Sequence, residues 1–183
     1  PPAAAAMVGA LIDYLRQALP RRREGRSTLG EEMTLARAYL DILRIRMGSR
    51  LTVAITCPAA LADHPFPPMM LMSLVENAIK HGLESKPGGG GIAHGAAVAE
   101  HPLPVTVADD GVGFGADAGH GIGLTNIRET LASLFGVQGR LTVEPAAQGG
   151  VVATIAVPRA MSATPATLAP AANGGATAPA QPT

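Results

Sequence analysis

No tryptophan occurs in this chain, and aromatic side chains make up only 3% of it. Any core must therefore be assembled from Leu, Ile, Val, Met and Ala, and a hydrophobic share of 47% over 183 residues is ample for one such core with appendages. The single cysteine, Cys57, excludes an internal disulfide framework and suits a reducing compartment; it reads as an ordinary strand-end residue. Charge of either sign is not in excess, with 14 basic and 14 acidic residues. That balance carries no footprint for nucleic-acid binding, and Arg21-Arg22-Arg23 reads as a short solvated connector. No apolar run approaches the length needed to cross a bilayer, and no secretory signal pattern is present. The chain opens on Pro1-Pro2 without Met, so it is expected to be an internal piece whose parent's membrane topology stays open.

Periodicity organises the rest. Residues 7–19 place Met7, Leu11, Ile12, Leu15 and Leu19 on one helical stripe. A helix this short is marginal alone and is expected to pack on a missing partner helix or on another chain. Thr28-x-x-Glu31 forms a capping box that opens a second helix over roughly 29–47. Leu35, Tyr39, Ile42 and Leu43 are its apolar side, and Gly48 ends it. Leu51–Cys57 alternates as a strand. Residues 69–83 make a two-faced helix, with Leu71, Leu74, Val75 and Ala78 on one side and Ser73, Asn77, Lys80 and His81 on the other. Gly88–Gly91 reads as a surface linker, with no Gly-Lys-Ser/Thr to make it a phosphate loop. Val105–Asp109 is a strand, 124–135 a helix, and Leu141–Glu144 and Val151–Val157 are closing strands joined by Gly149-Gly150. From Arg159 onward the small-residue composition predicts disorder.

Three segments carry chemistry. The first is Glu76-Asn77-Ala78-Ile79-Lys80-His81-Gly82. Taken alone it is the solvated face of an amphipathic helix, but an Asn carbonyl is a hard neutral ligand suited to Mg²⁺, and Lys80 and His81 one turn on would compensate phosphate charge. The second, Asp109-Asp110-Gly111-Val112-Gly113, has the composition of a hairpin turn. Against that, Asp109 shares the parity of Val105 and Val107 and is expected to point coreward, where a carboxylate needs a partner such as an adenine amino group. The third, Gly119-His120-Gly121-Ile122-Gly123-Leu124, runs into a helix as a backbone anion site. It lacks the strand and trailing acid of a dinucleotide fingerprint. His64, His94 and His101 match no zinc spacing and read as solvent-exposed bystanders.

Taken in order, ENAIKHG, DDGVGFG, GHGIGLTN and a last strand entered through Gly-Gly resemble the GHKL superfamily, which includes gyrase B, Hsp90, MutL and histidine kinases. Within it, LVENAIKHG and the upstream STLGEEMTLARAYLDILRIRMGSRL, with Glu32, Tyr39, Leu40, Arg46 and Arg50, are most similar to LytS-like sensor histidine kinases over residues 7–158. The resemblance implies a two-layer α/β sandwich with helices on one face of a mixed sheet. It divides the chain into a dimerisation and phosphoacceptor remnant (1–27), an ATP-binding catalytic domain (28–158) and the tail (159–183). It implies ATP and Mg²⁺ as ligands, with Asn77 on the metal and Asp109 on the adenine amino group. Gly111 and Gly113 would shape the pocket, Gly119, Gly121 and Gly123 the lid and its anion-binding end, and Leu124 would lie under it. Glu76, Lys80 and His81 would stand at the phosphate end as catalytic candidates. Implied partners are a phosphoacceptor histidine domain and a response regulator, with a cytoplasmic location for this part and room for a homodimeric parent in the bacterial inner membrane.

The sequence departs from that family in places. The Asn-Pro-His-Phe-Leu-Phe-Asn type of phosphoacceptor motif is absent, so the fragment is not expected to label itself. Thr130 replaces a usual Arg, Leu43 a common acid, and Gly149-Gly150-Val151-Val152 a Gly-Thr. Two other readings are a hydrolytic clamp ATPase and a degenerate nucleotide-binding module. Against the clamp, Ser73 occupies the position one turn before Asn77 where such enzymes carry an acid, and serine is a poor base at neutral pH.

Overall fold

A computed structural model describes residues 2–24, 27–84, 86–98, 102–113 and 122–158. The tail, His101, His120 and most of the lid lie outside those residues, as do the side chains of Arg21–Arg23.

A long first helix, α1 (Pro2–Glu24), runs antiparallel into α2 (Leu29–Met47) through a two-residue strand β1 (Ser27–Thr28). The capping box forms as expected. Thr28 Oγ1 accepts from Glu31 N–H at 3.3 Å, and Glu31 Oε2 accepts from Thr28 N–H at 2.9 Å, which satisfies two orphan donors at once. Gly48 closes α2 at φ 61°. Glu32 is fully buried and lies 3.1 Å from the Ser27 hydroxyl. β2 (Leu51–Thr56) follows, then β3 (Pro65–Phe66), which pairs antiparallel with β1. α3 (Met70–Asn77) continues into a π-helical segment, Ala78–Leu83. Then come β4 (Gly90–Ala96), β5 (Leu103–Asp109), α4 (Ile122–Phe135), β6 (Arg140–Pro145) and β7 (Val151–Val157).

The five long strands form one sheet in the order β2-β4-β5-β7-β6; β2 and β4 are parallel and the other pairs antiparallel. One face is buried under the helices. Leu103, Val105, Val107 and Asp109 of β5 point inward, as period-2 alternation requires, and meet Leu71, Leu74 and Val75 of α3 in a common core. Leu124, Ile127 and Leu131 of α4 complete it. The opposite face carries small residues such as Ala54, Ala93 and Thr106. This is the two-layer sandwich with a mixed sheet.

Three expectations change. α1 is longer than the 7–19 expected and packs on α2 through Tyr14 and Ala18, while its stripe of Leu11, Ile12, Leu15 and Leu19 stays exposed, open to the outside partner expected for it. A helix of small and apolar residues has two faces able to pack, and α2 takes the one bearing Tyr14, whose ring centre lies 6.0 Å from that of Tyr39. Second, Gly88–Gly91 is not simply a linker, because Gly90 and Gly91 begin β4, a strand the glycines concealed. Its glycines answer close packing: a Cβ on Gly95 would come within 2.7 Å of the Thr56 carbonyl oxygen. Third, His94 is buried in β4, only 3% exposed, with Nδ1 3.2 Å from Met33 Sδ.

Burial first, and then Arg37, push the His94 pKa down to about 4, so it is neutral in the fold. The unfolded chain binds a proton there near 6.5. Stability should therefore be intact at neutral pH and fall as pH drops from about 6.5 toward 4, by up to roughly 3 kcal/mol. Urea unfolding at pH 7 and pH 4.5 checks this. His94→Leu should flatten that part of the profile, and an unchanged slope would contradict it.

Candidate functional site

At one end of the helix-covered face of the sheet, α3, its π-helical continuation and the end of β5 converge. Burial of Leu71, Leu74, Val75 and Ala78 holds α3 in one orientation. That leaves Ser73 and Asn77 half-buried at its margin. The Ser73 hydroxyl donates to Met69 O at 3.0 Å, and Asn77 Nδ2 donates to Ser73 O at 2.8 Å. Since a carbonyl only accepts, this bond identifies which amide atom is nitrogen and commits it, leaving Asn77 Oδ1 as the acceptor. Met69 enters α3 at φ 64°, the one positive φ outside glycine among the described residues, a costly geometry for a long side chain.

After Asn77 the hydrogen bonding lengthens, with Glu84 N–H reaching Ile79 O at 2.8 Å. The wider turn changes the angular phase from Ala78 onward. Glu76, Lys80 and His81 are exposed. Glu84 pairs with Arg46 of α2 at 2.5 Å. Glu76 lies close enough to α2 to act on Tyr39, whose hydroxyl is raised above its ordinary pKa by burial first and then by Glu76 and Glu84.

The same wide turn drives Gly82 against the end of β5. A Cβ on Gly82 would lie 2.5 Å from Asp109 Oδ1, and one on Gly111 would strike the Gly82 carbonyl. Val112 N–H donates to Gly82 O at 3.1 Å. Asp109 is 7% exposed, as its strand parity predicted. Its pKa is raised, by burial first, against the pull of the Gly111 and Val151 backbone amides. Gly111 N–H bonds to Asp109 Oδ1 at 2.9 Å, and the Val151 amide also acts on this carboxylate. Gly113 takes φ 77° beside Gly150, which at φ 86° packs on the Asp109 carbonyl with no room for a Cβ. On the other flank the start of α4 closes on α3: a Cβ on Gly123 would lie 3.1 Å from Asn77 Nδ2. Leu124 sits beneath, buried.

Asn77 and Gly123 thus meet, and Asp109 meets Gly111. Gly119 and Gly121 lie outside the described residues. Gly82 and Gly150 were not singled out as site residues. Each marks a backbone approach, and the available signal was a glycine next to a polar motif. Among the described residues no group of three or more His, Cys, Asp or Glu could hold a metal. A single Asn oxygen fits only a hard cation whose remaining ligands are water and phosphate. The arrangement offers a buried carboxylate among glycines at one place and a neutral amide oxygen beside a helix start at another, groups able to meet an amino donor and a hydrated cation.

The histidine kinase family model matches residues 1–51, and the model for histidine kinase-, DNA gyrase B- and HSP90-like ATPases matches residues 63–161. The sensor protein LytS of Oceanobacillus iheyensis is 28% identical over 157 residues, which are 78% of this chain and 27% of that protein. The sensor histidine kinase YesM of Bacillus subtilis is 30% identical, covering 83% and 27%. The chain thus spans about a quarter of the length of these relatives. Among solved structures, the histidine kinase domain of the Erythrobacter litoralis blue-light activated histidine kinase superposes with TM-score 0.56 at 20% identity, covering 86% of this chain and 75% of that one. A catalytic domain of the histidine kinase ThkA reaches 0.56 at 14% identity, covering 73% and 95%. At these identities the structures speak for the fold.

Gly82→Ala should destabilise the protein by about 1–3 kcal/mol through overpacking against Asp109. Gly9→Ala, exposed in α1 with nothing within 4 Å of the added carbon, should be neutral or stabilising. Denaturant midpoints of the two variants measure the contrast, and equal effects would contradict a close approach at Gly82.

Proposed function

The chain belongs to the histidine kinase-, DNA gyrase B- and HSP90-like ATPase family as the ATP-binding catalytic domain of a LytS-like sensor histidine kinase, and we propose that its parent transfers the ATP γ-phosphate to a histidine on a separate helical segment for relay to a response regulator. The observation that carries this reading is a buried Asp109 carboxylate at the end of β5 together with Asn77 beside the first turn of α4. In this reading Asp109 Oδ2 accepts the adenine amino group, and Gly111 and Gly113 let the ring approach the backbone. Asn77 Oδ1 holds Mg²⁺, which when bound offsets phosphate charge. Gly119, Gly121 and Gly123 supply backbone donors to the phosphates, and Lys80 and His81 stand at that end. Chemistry of this kind is mostly positioning and charge compensation. Glu76, exposed and next to Asn77, polarises the incoming histidine.

Residues 28–158 form the nucleotide-binding unit, since α2 shares its core with the sheet through Leu35 and Leu40. Residues 1–27 belong to the dimerisation region, and the outward stripe Leu11, Ile12, Leu15 and Leu19 is the surface that meets a dimer mate. No helix among the described residues is long and apolar enough to cross a membrane; a membrane anchor would come from other parts of the parent. The clamp-ATPase reading is disfavoured by Ser73, whose hydroxyl is spent on Met69 O and is no base.

Incubated with γ-labelled ATP, this chain alone should acquire no acid-labile phosphate, because it contains no phosphoacceptor motif. Adding a helical domain bearing that motif should restore transfer in trans, weakly, since tethering is lost. Asn77→Ala should abolish both Mg²⁺-dependent ATP binding and transfer while leaving the unfolding midpoint near the parent's. Self-labelling of the isolated chain, or an Asn77→Ala variant that binds Mg-ATP like the parent, would refute the assignment.

A further inference from the structure

The carbonyl of Asp110 and the N–H of Gly111 are two ends of one rigid peptide plane. The N–H end is taken by Asp109 Oδ1 at 2.9 Å. The carbonyl end is taken by the Lys86 ammonium, which also lies 3.1 Å from Asp110 Oδ1. That carboxylate oxygen accepts Gly91 N–H at 2.9 Å, and Asp110 N–H donates to Gly91 O at 3.2 Å. Lys86 is held in turn, its own carbonyl accepting from Arg50 Nη2 at 3.4 Å and from Gly89 N–H at 3.1 Å. As an ion pair this contact is unremarkable: the side chains are 33% and 52% exposed, and such pairs contribute little to stability. Its geometry is more informative. A cation on the carbonyl fixes the tilt of the peptide and strengthens the N–H at its other end as a donor, and that N–H is one of two backbone amides, with Val151, that act on the Asp109 carboxylate.

We propose that Lys86 is a positioning residue for base recognition, acting through the Asp110–Gly111 peptide to aim Asp109 Oδ2 at the amino group of the purine. The inference rests on the reading of Asp109 given above. Lys86 touches no nucleotide itself. Without it the peptide is free to rotate, Asp109 loses its preset direction, and the site keeps its grip on phosphate while losing its preference for adenine over hypoxanthine.

The test is Mg²⁺-dependent binding of ATP and of inosine triphosphate to the full chain and to its Lys86→Ala, Lys86→Arg and Asp109→Asn variants, each accompanied by a melting curve. Lys86→Ala should weaken ATP about five- to tenfold, the loss of roughly one hydrogen bond's preorganisation, while the inosine nucleotide binds as before. Lys86→Arg should recover most of the preference, and the Lys86→Ala melting midpoint should stay near the parent's. Combined with Asp109→Asn, Lys86→Ala should add no further loss. If Asp109→Asn changes the ratio of the two affinities and Lys86→Ala does not, this inference is wrong while the reading of Asp109 survives. An unchanged ratio in Asp109→Asn overturns both. Equal losses for the two nucleotides in Lys86→Ala, or a Lys86→Ala chain that does not fold together with a Lys86→Arg chain of altered ratio, would make Lys86 a structural support and overturn the proposal.

Discussion

Everything at the site depends on one steric contact, the approach of the Gly82 backbone to the Asp109 carboxylate. A carboxylate turned into an apolar layer is costly unless it is bonded. Here it is bonded at one oxygen by the Gly111 amide and covered by a residue without a side chain. The cover needs the π-helical turn, whose extra residue moves Gly82 to where an α-helix would not place it. Gly111 must in turn lack a side chain to pass the Gly82 carbonyl, and Gly150 must lack one to pass the Asp109 carbonyl. Three glycines from three separate segments thus converge on one acid.

The core explains why that seam is held. Leu71, Leu74 and Val75 bury α3 against β5 from one side, and Leu124, Ile127 and Leu131 bring α4 against it from the other. Aliphatic residues with few aromatics suffice because the layers are thin and the outer sheet face is built of small residues. α2 adds polar fastening to this packing. Arg46 of α2 reaches Glu84, and Arg50 just past α2 reaches the Lys86 carbonyl, so α2 and the turn after it are tied to the C-terminal end of the segment that covers Asp109.

Much was legible in the chain itself, for identifiable reasons. The Thr28 and Glu31 pair announced the start of α2 because capping is a local interaction between neighbours in sequence. The inward direction of Asp109 followed from counting by twos along β5. The family-like order of ENAIKHG, DDGVGFG and GHGIGLTN pointed to the ATPase family that the comparisons then matched. The burial of His94 is not legible locally because its glycine-rich neighbourhood hides a strand; Gly90 and Gly95 answer close packing, which no local pattern distinguishes from a loop.

The sequence alone determined what depends on neighbours along the chain: element type, caps, strand parity and the polar residues Asn77 and Asp109 set apart from an apolar stripe. Tertiary structure alone decided which of two packable faces α1 buries, where the helical phase shifts after Asn77, and which glycines are spacers. It also decided that Lys86 meets the Asp110 carbonyl, 24 residues away. Those outcomes arise from competition for space and for hydrogen-bond partners between distant segments, which is settled only when the layers close on one another.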